Sequence, residues 1–157
     1  LRAMCLMDQP RLRLIVAGRQ PVRRVMKLAA DAGVDRQVLA VGASTDVAAL
    51  HAAADLFVLP TQYEAYCLAI LEALGSGVPV VTSNVPGAAD SVIADTNGQV
   101  VQDPLDAEEL ASAIRLSLEP SRLVRYSEAA ASSVAEHAWP RVLARFETVL
   151  QEHCRAP

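Results

Sequence analysis

Glu64 and Glu72 stand eight positions apart, around the start of an apolar helical stretch that follows an apolar strand-like run. Ile70, Leu71, Ala73 and Leu74 surround Glu72, so either helical face gives it apolar neighbours. A carboxylate in that setting is costly unless something pairs with it. It either reaches a backbone donor or faces a cleft where a ligand supplies hydroxyls; the plainer alternative is a helix glutamate extended to solvent. Between the two glutamates lies Ala65-Tyr66-Cys67-Leu68, leading into the helix. The first amides of a helix lack intrahelical partners and can hold a phosphate. The small residues Ala65 and Cys67 let a ligand approach the backbone closely. At ~1.5 Å rise per residue the two carboxylates are roughly 8–12 Å apart along the helix, too far for the carboxylate pair of a retaining hydrolase. That spacing suits the two ends of one extended ligand, such as a sugar and a ribose flanking a diphosphate.

The elements that must position these residues alternate along the chain. Leu1 to Met7 is a helix-like segment ended by Asp8-Gln9-Pro10. Leu12 to Ala17 is a buried-strand run closed by Gly18, and Val22 to Ala32 is a helix with Pro21 at its first position and Gly33 past its end. Gln37 to Val41 is a second strand, closed by Gly42; Ser44 or Thr45 caps a helix through Ala53, with Asp46 favourable in its first turn. Asp55 to Leu59 is a third strand, Cys67 to Leu74 a helix stopped by Gly75 and Gly77, and Val78 to Thr82 a fourth strand. Asp90 to Ala94 reads as a short helix, Asn97-Gly98 as a turn, and Gln99 to Val101 as a short strand. Helices follow from Asp106 to about Leu118, from Leu123 to Ala135, and from Trp139-Pro140 to about His153. Continuous apolar strands alternating with helices predict an α/β fold, a Rossmann-like parallel sheet with helices on both faces. In such sheets ligands bind at the carboxyl ends of the strands. Three loops fall there, at Gly42-Ala43-Ser44, Pro60 to Tyr66, and Asn84 to Ala88.

Bulk properties narrow the function classes. The chain has 157 residues, is 52% hydrophobic and 20% charged, and carries a net charge of -4. That describes one globular domain, residues 1–157, with a tail helix at about 139–153. The charge and the scarcity of aromatics argue against nucleic acid as a partner. Cys5, Cys67 and Cys154 form no CxxC and suit no zinc site, so no metal is expected and a reduced, cytoplasmic setting is the simplest expectation. Cys67 is read as a small buried residue, although a helix start can lower a thiol pKa. His51, His137 and His153 are read as surface or packing residues, and Arg19 as solvated or approaching a phosphate. No apolar stretch approaches the ~20 residues of a membrane span. The chain begins at Leu1, in what reads as mid-helix, and is expected to be a fragment of something longer.

At this point the residues resemble a known family. Ala53-Ala54-Asp55-Leu56, Pro60-Thr61, Glu64-Ala65-Tyr66-Cys67, Leu71-Glu72-Ala73 and Ser76-Gly77-Val78-Pro79-Val80-Val81 follow, in order, the pattern of the carboxyl-terminal domain of GT-B-fold, retaining glycosyltransferases of family 4, the group 1 glycosyltransferases. Asn97-Gly98, Asp103-Pro104, Asp106 with Leu110, and Ala138-Trp139 before the final helix extend the likeness from Leu12 onward. Gln62 and Ala65 are similar to their counterparts in lipopolysaccharide-core glucosyltransferases. The resemblance implies a donor-binding half that, as a full-length enzyme, transfers a hexosyl group from a UDP- or GDP-sugar with retention and without a metal or other cofactor. It implies that Glu64, the catalytic candidate, contacts donor-sugar hydroxyls, and that the amides of Tyr66, Cys67 and Leu68 hold the sugar and diphosphate. Glu72 would accept hydrogen bonds from the ribose, Gly42 and Ser44 would meet the base, and Gly87 would line the sugar pocket. The acceptor would be held by an amino-terminal domain this chain lacks, which would also supply any peripheral membrane association; the fragment alone is expected to be inactive.

Three departures stand against the family pattern. Its Gly-Phe-Gly reads Ala65-Tyr66-Cys67, which alters the site if either flanking position needs a left-handed backbone. Its Gly-Gly loop reads Pro86-Gly87-Ala88-Ala89-Asp90. Its first strand, with the Arg and Lys that neutralise the diphosphate, has no counterpart here and would be central in the sheet. These departures keep a second expectation open, a degenerate Rossmann-like binding or regulatory domain without activity.

Overall fold

The structure, a computed structural model, describes residues 1–154. The elements run α1 (Arg2–Met7), β1 (Leu14–Ala17), α2 (Val22–Asp31), β2 (Val38–Gly42), α3 (Val47–Ala52), β3 (Phe57–Leu59), α4 (Leu68–Gly75), β4 (Val80–Ser83), β5 (Gly98–Val101), α5 (Ala107–Ser117), α6 (Pro120–Ser133) and α7 (Trp139–His153). All strand pairs are parallel, and side chains alternate between faces, as the apolar runs require. Val80, Phe57 and Leu59 pack with Ile70, Leu74 and Ala130 of α4 and α6. Val81, Val58 and Val101 turn the other way, onto Ala3 and Met7 of α1 and Ala111 and Ile114 of α5. Leu14, Val16 and Val38 pack on Met4 of α1 and Val25, Met26 and Ala29 of α2.

The parallel sheet is present in two pieces. β1 pairs with β2, while β3, β4 and β5 form a second sheet in that order, and no ladder joins them. The resemblance implies a further, central strand, and a sheet in two pieces is what its lack would leave. Helix α1 lies beneath both pieces, its Met4 in one apolar cluster and its Ala3 and Met7 in the other.

Several element boundaries differ from those read off the sequence, each for a local reason. β1 starts at Leu14 because Leu12 is held in a turn: its N–H donates to the Gln9 carbonyl and its own carbonyl accepts from the Gln37 and Arg13 side chains. β3 and β4 lose their first residues because Pro79, which has no N–H, stands at the ladder's edge and contributes only its carbonyl, to Phe57. The helix expected at Asp90 to Ala94 is a single 3-10 turn, Ala89–Ser91. Buried Asn97 is the cause: its Oδ1 accepts the Ile93 N–H at 2.7 Å and its Nδ2 donates to the Ser91 carbonyl at 3.0 Å, taking the groups a helix would use. Helix α6 begins three residues early, at Pro120, whose fixed φ suits a first helical position. The cap of α3 is Asp46, which accepts the Ala49 N–H, and not Ser44 or Thr45; Ser44 Oγ instead accepts the Asp46 N–H.

Helix α7 carries Trp139, Val142, Leu143, Phe146, Val149 and Leu150 at helical spacing, and all six are exposed. No helix among the described residues is long and apolar enough to cross a membrane.

Candidate functional site

The segment after β3 leaves the carboxyl end of the sheet and is tied down by hydroxyls of the buried β4. Thr82 Oγ1 donates to the Leu59 carbonyl at 2.9 Å, and Ser83 Oγ donates to the Thr61 carbonyl. Thr61 Oγ1 donates in turn to the Tyr63 carbonyl at 2.8 Å. The chain thus arrives at Glu64 from a rigid base. Residues 64–68 then form a tight turn into α4, with Cys67 at the position just before the helix.

Gly87 decides how this turn is held. It adopts φ +82°, and a Cβ placed there would lie 2.4 Å from the Ala65 carbonyl oxygen. Only a glycine allows the loop after β4 to lie against the turn backbone. The approach is closed by the Cys67 N–H, which donates to the Gly87 carbonyl at 3.1 Å, while the Gly87 N–H donates to Asp90 Oδ2 at 3.1 Å. The Leu68 N–H donates to the Tyr66 carbonyl at 3.1 Å, and the Ala65 N–H to Glu64 Oε1 at 3.1 Å. Of the three amides implied as diphosphate donors, Tyr66's alone is without a partner among the described residues. Those of Cys67 and Leu68 must exchange their partners to reach a ligand. Ala65 and Cys67 in place of glycines cost no backbone strain, because among the described residues the only non-glycine ones with positive φ are Asp8 and Asp95.

Cys67 is buried, and that burial raises its thiol pKa above the usual value, with the nearby Glu64 carboxylate acting in the same direction. The amides of Ile70 and Ala69 pull the other way without prevailing. The activation that a helix start can give a cysteine is therefore overridden, and Cys67 stays a thiol.

Glu72 lies elsewhere. Helix α4 buries Ile70, Ala73 and Leu74, and Glu72 falls on its exposed side rather than among apolar neighbours. The carboxylate makes no hydrogen bond or ion pair among the described residues. It faces a groove of about 450 Å³ between α3 and α4, lined also by Thr45, Asp46, Val47, Ala48, His51 and Ser76. His51 forms the groove's inner wall: it is 5% exposed, meets Phe57 edge-on at 5.6 Å, and leaves its Nε2 without a partner. Gly42 closes β2 at φ +72°, its carbonyl accepting the Gly18 N–H at 2.8 Å, and Ser44 follows at the groove's approach.

The predicted residues therefore fall into two groups at the carboxyl end of the strands. Glu64, Tyr66, Cys67, Leu68 and Gly87 form one backbone-locked turn, and Glu72 faces the start of α3 across the groove. Gly42 and Ser44 lead into that groove without lining it. Sequence reading missed Asp46 as the cap and His51 as a groove wall; a histidine among alanines at helical spacing gives no signal of which way it faces. A second hollow, of about 320 Å³, lies at the opposite end of the sheet among Asp55, Gly77 and α6 residues, away from both glutamates.

A family model described as glycosyl transferases group 1 matches residues 1–133. The lipopolysaccharide glucosyltransferase WaaG of Escherichia coli K12 is 39% identical over 111 residues, covering 70% of this chain and 29% of the relative. The crystal structure of WaaG superposes with a TM-score of 0.77 at 29% identity, over 92% of this chain and 41% of that one. A glycosyltransferase from Rickettsia africae superposes with a TM-score of 0.86 at 21% identity, over 99% of this chain and 44% of that one, a likeness of fold. The chain thus spans under a third of the curated relative and under half of the solved chains.

Proposed function

The chain belongs to the group 1 glycosyl transferases, and from that premise we propose that it is the donor-binding half of a retaining, metal-independent hexosyltransferase. The observation that carries this reading is the unpaired Glu72 carboxylate, set across an open groove from the start of α3. A carboxylate that only accepts hydrogen bonds suits vicinal hydroxyls, as on a ribose. Glu64 stands at the other end of the same helix start, beside the free Tyr66 amide, where the sugar of the donor belongs. Between them the first turn of α4 offers the positive end of a helix to a diphosphate. Gly42 and Ser44, at the groove's approach, take the base, and Gly87 keeps the sugar side of the turn open.

UDP and GDP are the nucleotides to test. The Anabaena protein HepE, whose structure was solved with UDP and glucose, shares this fold at 22% identity and a TM-score of 0.83. A mannosyltransferase of Mycolicibacterium smegmatis that is named as GDP-mannose-dependent is 32% identical over 108 residues. The acceptor belongs to a further half of a longer protein, and this chain alone is inactive. Calorimetric titration with UDP, GDP and their sugars tests the reading. One nucleotide is expected to bind, and Glu72→Ala is expected to weaken it by about 1–3 kcal/mol. Equal affinity in the variant removes Glu72 from the site.

A further inference from the structure

Tyr66 is joined to a residue 71 positions away: its hydroxyl lies 2.9 Å from His137 Nδ1, with the two rings tilted at 49°. We infer that His137 is a positioning residue for the donor-binding turn, acting through Tyr66. This rests on the donor-binding reading above.

The two ends of the link differ in how firmly they are held. His137 ends the 3-10 turn Ala135–His137 between α6 and α7, and its N–H donates to the Val134 carbonyl at 2.9 Å. Val134 is buried in the same apolar cluster as Cys67, Ile70 and Ala88. The backbone of His137 is thus tied to the core on which the turn rests, while its ring meets Tyr66 at the surface. Tyr66 is half exposed, and its hydroxyl meets His137. Its amide is the unpartnered donor of the turn, so the orientation of that peptide matters for a ligand. Cys67, the next residue, is fixed by the Gly87 carbonyl. Tyr66 is fixed from outside by His137, and the free N–H between these two anchors is held ready for a phosphate or sugar oxygen. In the tautomer with hydrogen on Nε2, the Tyr66 hydroxyl donates and Nδ1 accepts. The same contact couples the start of α7 to the site, because Trp139 follows His137 by two residues.

The test is a double-mutant cycle on the whole chain with Tyr66→Phe, His137→Ala and the pair, with His137→Gln as the rescue. Hydrogen exchange at the Cys67 amide, without ligand, reads the turn directly. Exchange is expected to speed up about three- to tenfold in each single variant and no further in the double, while the thermal midpoint stays unchanged and Gln restores most of the protection. Affinity for whichever of UDP or GDP the parent binds is expected to fall by the same factor. Unchanged exchange in both single variants, or single effects that multiply in the double, would overturn the link. Altered exchange with unaltered affinity overturns the positioning role. Altered exchange in a parent chain that binds neither nucleotide overturns the donor reading and leaves the link standing.

Discussion

The sheet β3–β4–β5 is covered on both faces, and the sheet β1–β2 on one. In β4 all four residues are fully buried, with α4 and α6 on one side and α1 and α5 on the other. On β1–β2 only the face toward α1 and α2 is packed; on the other, Ile15 is 36% exposed and Leu39 58% exposed. The two pieces share strand direction and apolar composition, so their difference comes from what crosses them. Both glutamates and Gly87 sit on the doubly covered piece. A turn whose hydrogen bonds must hold to a few tenths of an ångström needs such a base, whereas the β2–α3 loop on the other piece only has to approach a groove.

The sharpest way to break this comparison is Gly98→Ala. A Cβ there would lie 1.9 Å from the Val80 carbonyl oxygen, in the β4–β5 ladder itself. We expect a loss of about 3 kcal/mol or more in denaturant unfolding, with the turn lost too. A well-folded variant would mean that the two ladders can separate, and that the rigid base is not rigid. A matched pair comes next. Leu74→Ala, in the fully buried core under α4, is expected to cost about 2–5 kcal/mol, and Leu39→Ala, on the bare face, under about 0.5 kcal/mol. Similar costs at the two positions would show that the open face of β1–β2 is covered in solution.

The smallest expected effect is electrostatic. Asp95, at the left-handed φ of 59°, accepts the Tyr126 hydroxyl at 2.9 Å and the Gln99 amide at 2.9 Å, and pairs with Arg122 at 2.8 Å, joining β5 to α6. The Tyr126 hydroxyl foremost, then the Gln99 amide, holds its pKa below the usual carboxylate value. A lowered native pKa means the stabilisation is present above the unfolded value of about 3.9 and is lost as pH falls through the native one. Asp95→Asn should therefore lower the urea midpoint at pH 7 and flatten its decline as pH falls below about 4. A parallel shift at every pH would show that Asp95 contributes shape alone.

Much of the doubly covered piece was legible in advance. The Pro60 to Thr82 stretch announces strand, loop, helix and strand because Pro60, Gly75, Gly77 and Pro79 punctuate it. The setting of Glu72 stays open in the sequence, between an apolar cleft and solvent. Helix α4 is apolar nearly all round, so periodicity does not say which side meets the core; packing on β3, β4 and α6 decides that. The short helix expected at Asp90 failed for a related reason, since Asn97 takes the needed backbone groups from outside the segment.

The sequence by itself determined the alternation of strands and helices, the parallel pairing, the family, and the spacing of Glu64 and Glu72, because these depend on neighbours along the chain. Tertiary structure alone decided that the sheet is in two pieces, that Gly87 locks the turn, that burial keeps Cys67 a thiol, and that His137 reaches Tyr66. Each of those depends on groups brought together from distant positions, whose distances and solvent access no local pattern encodes.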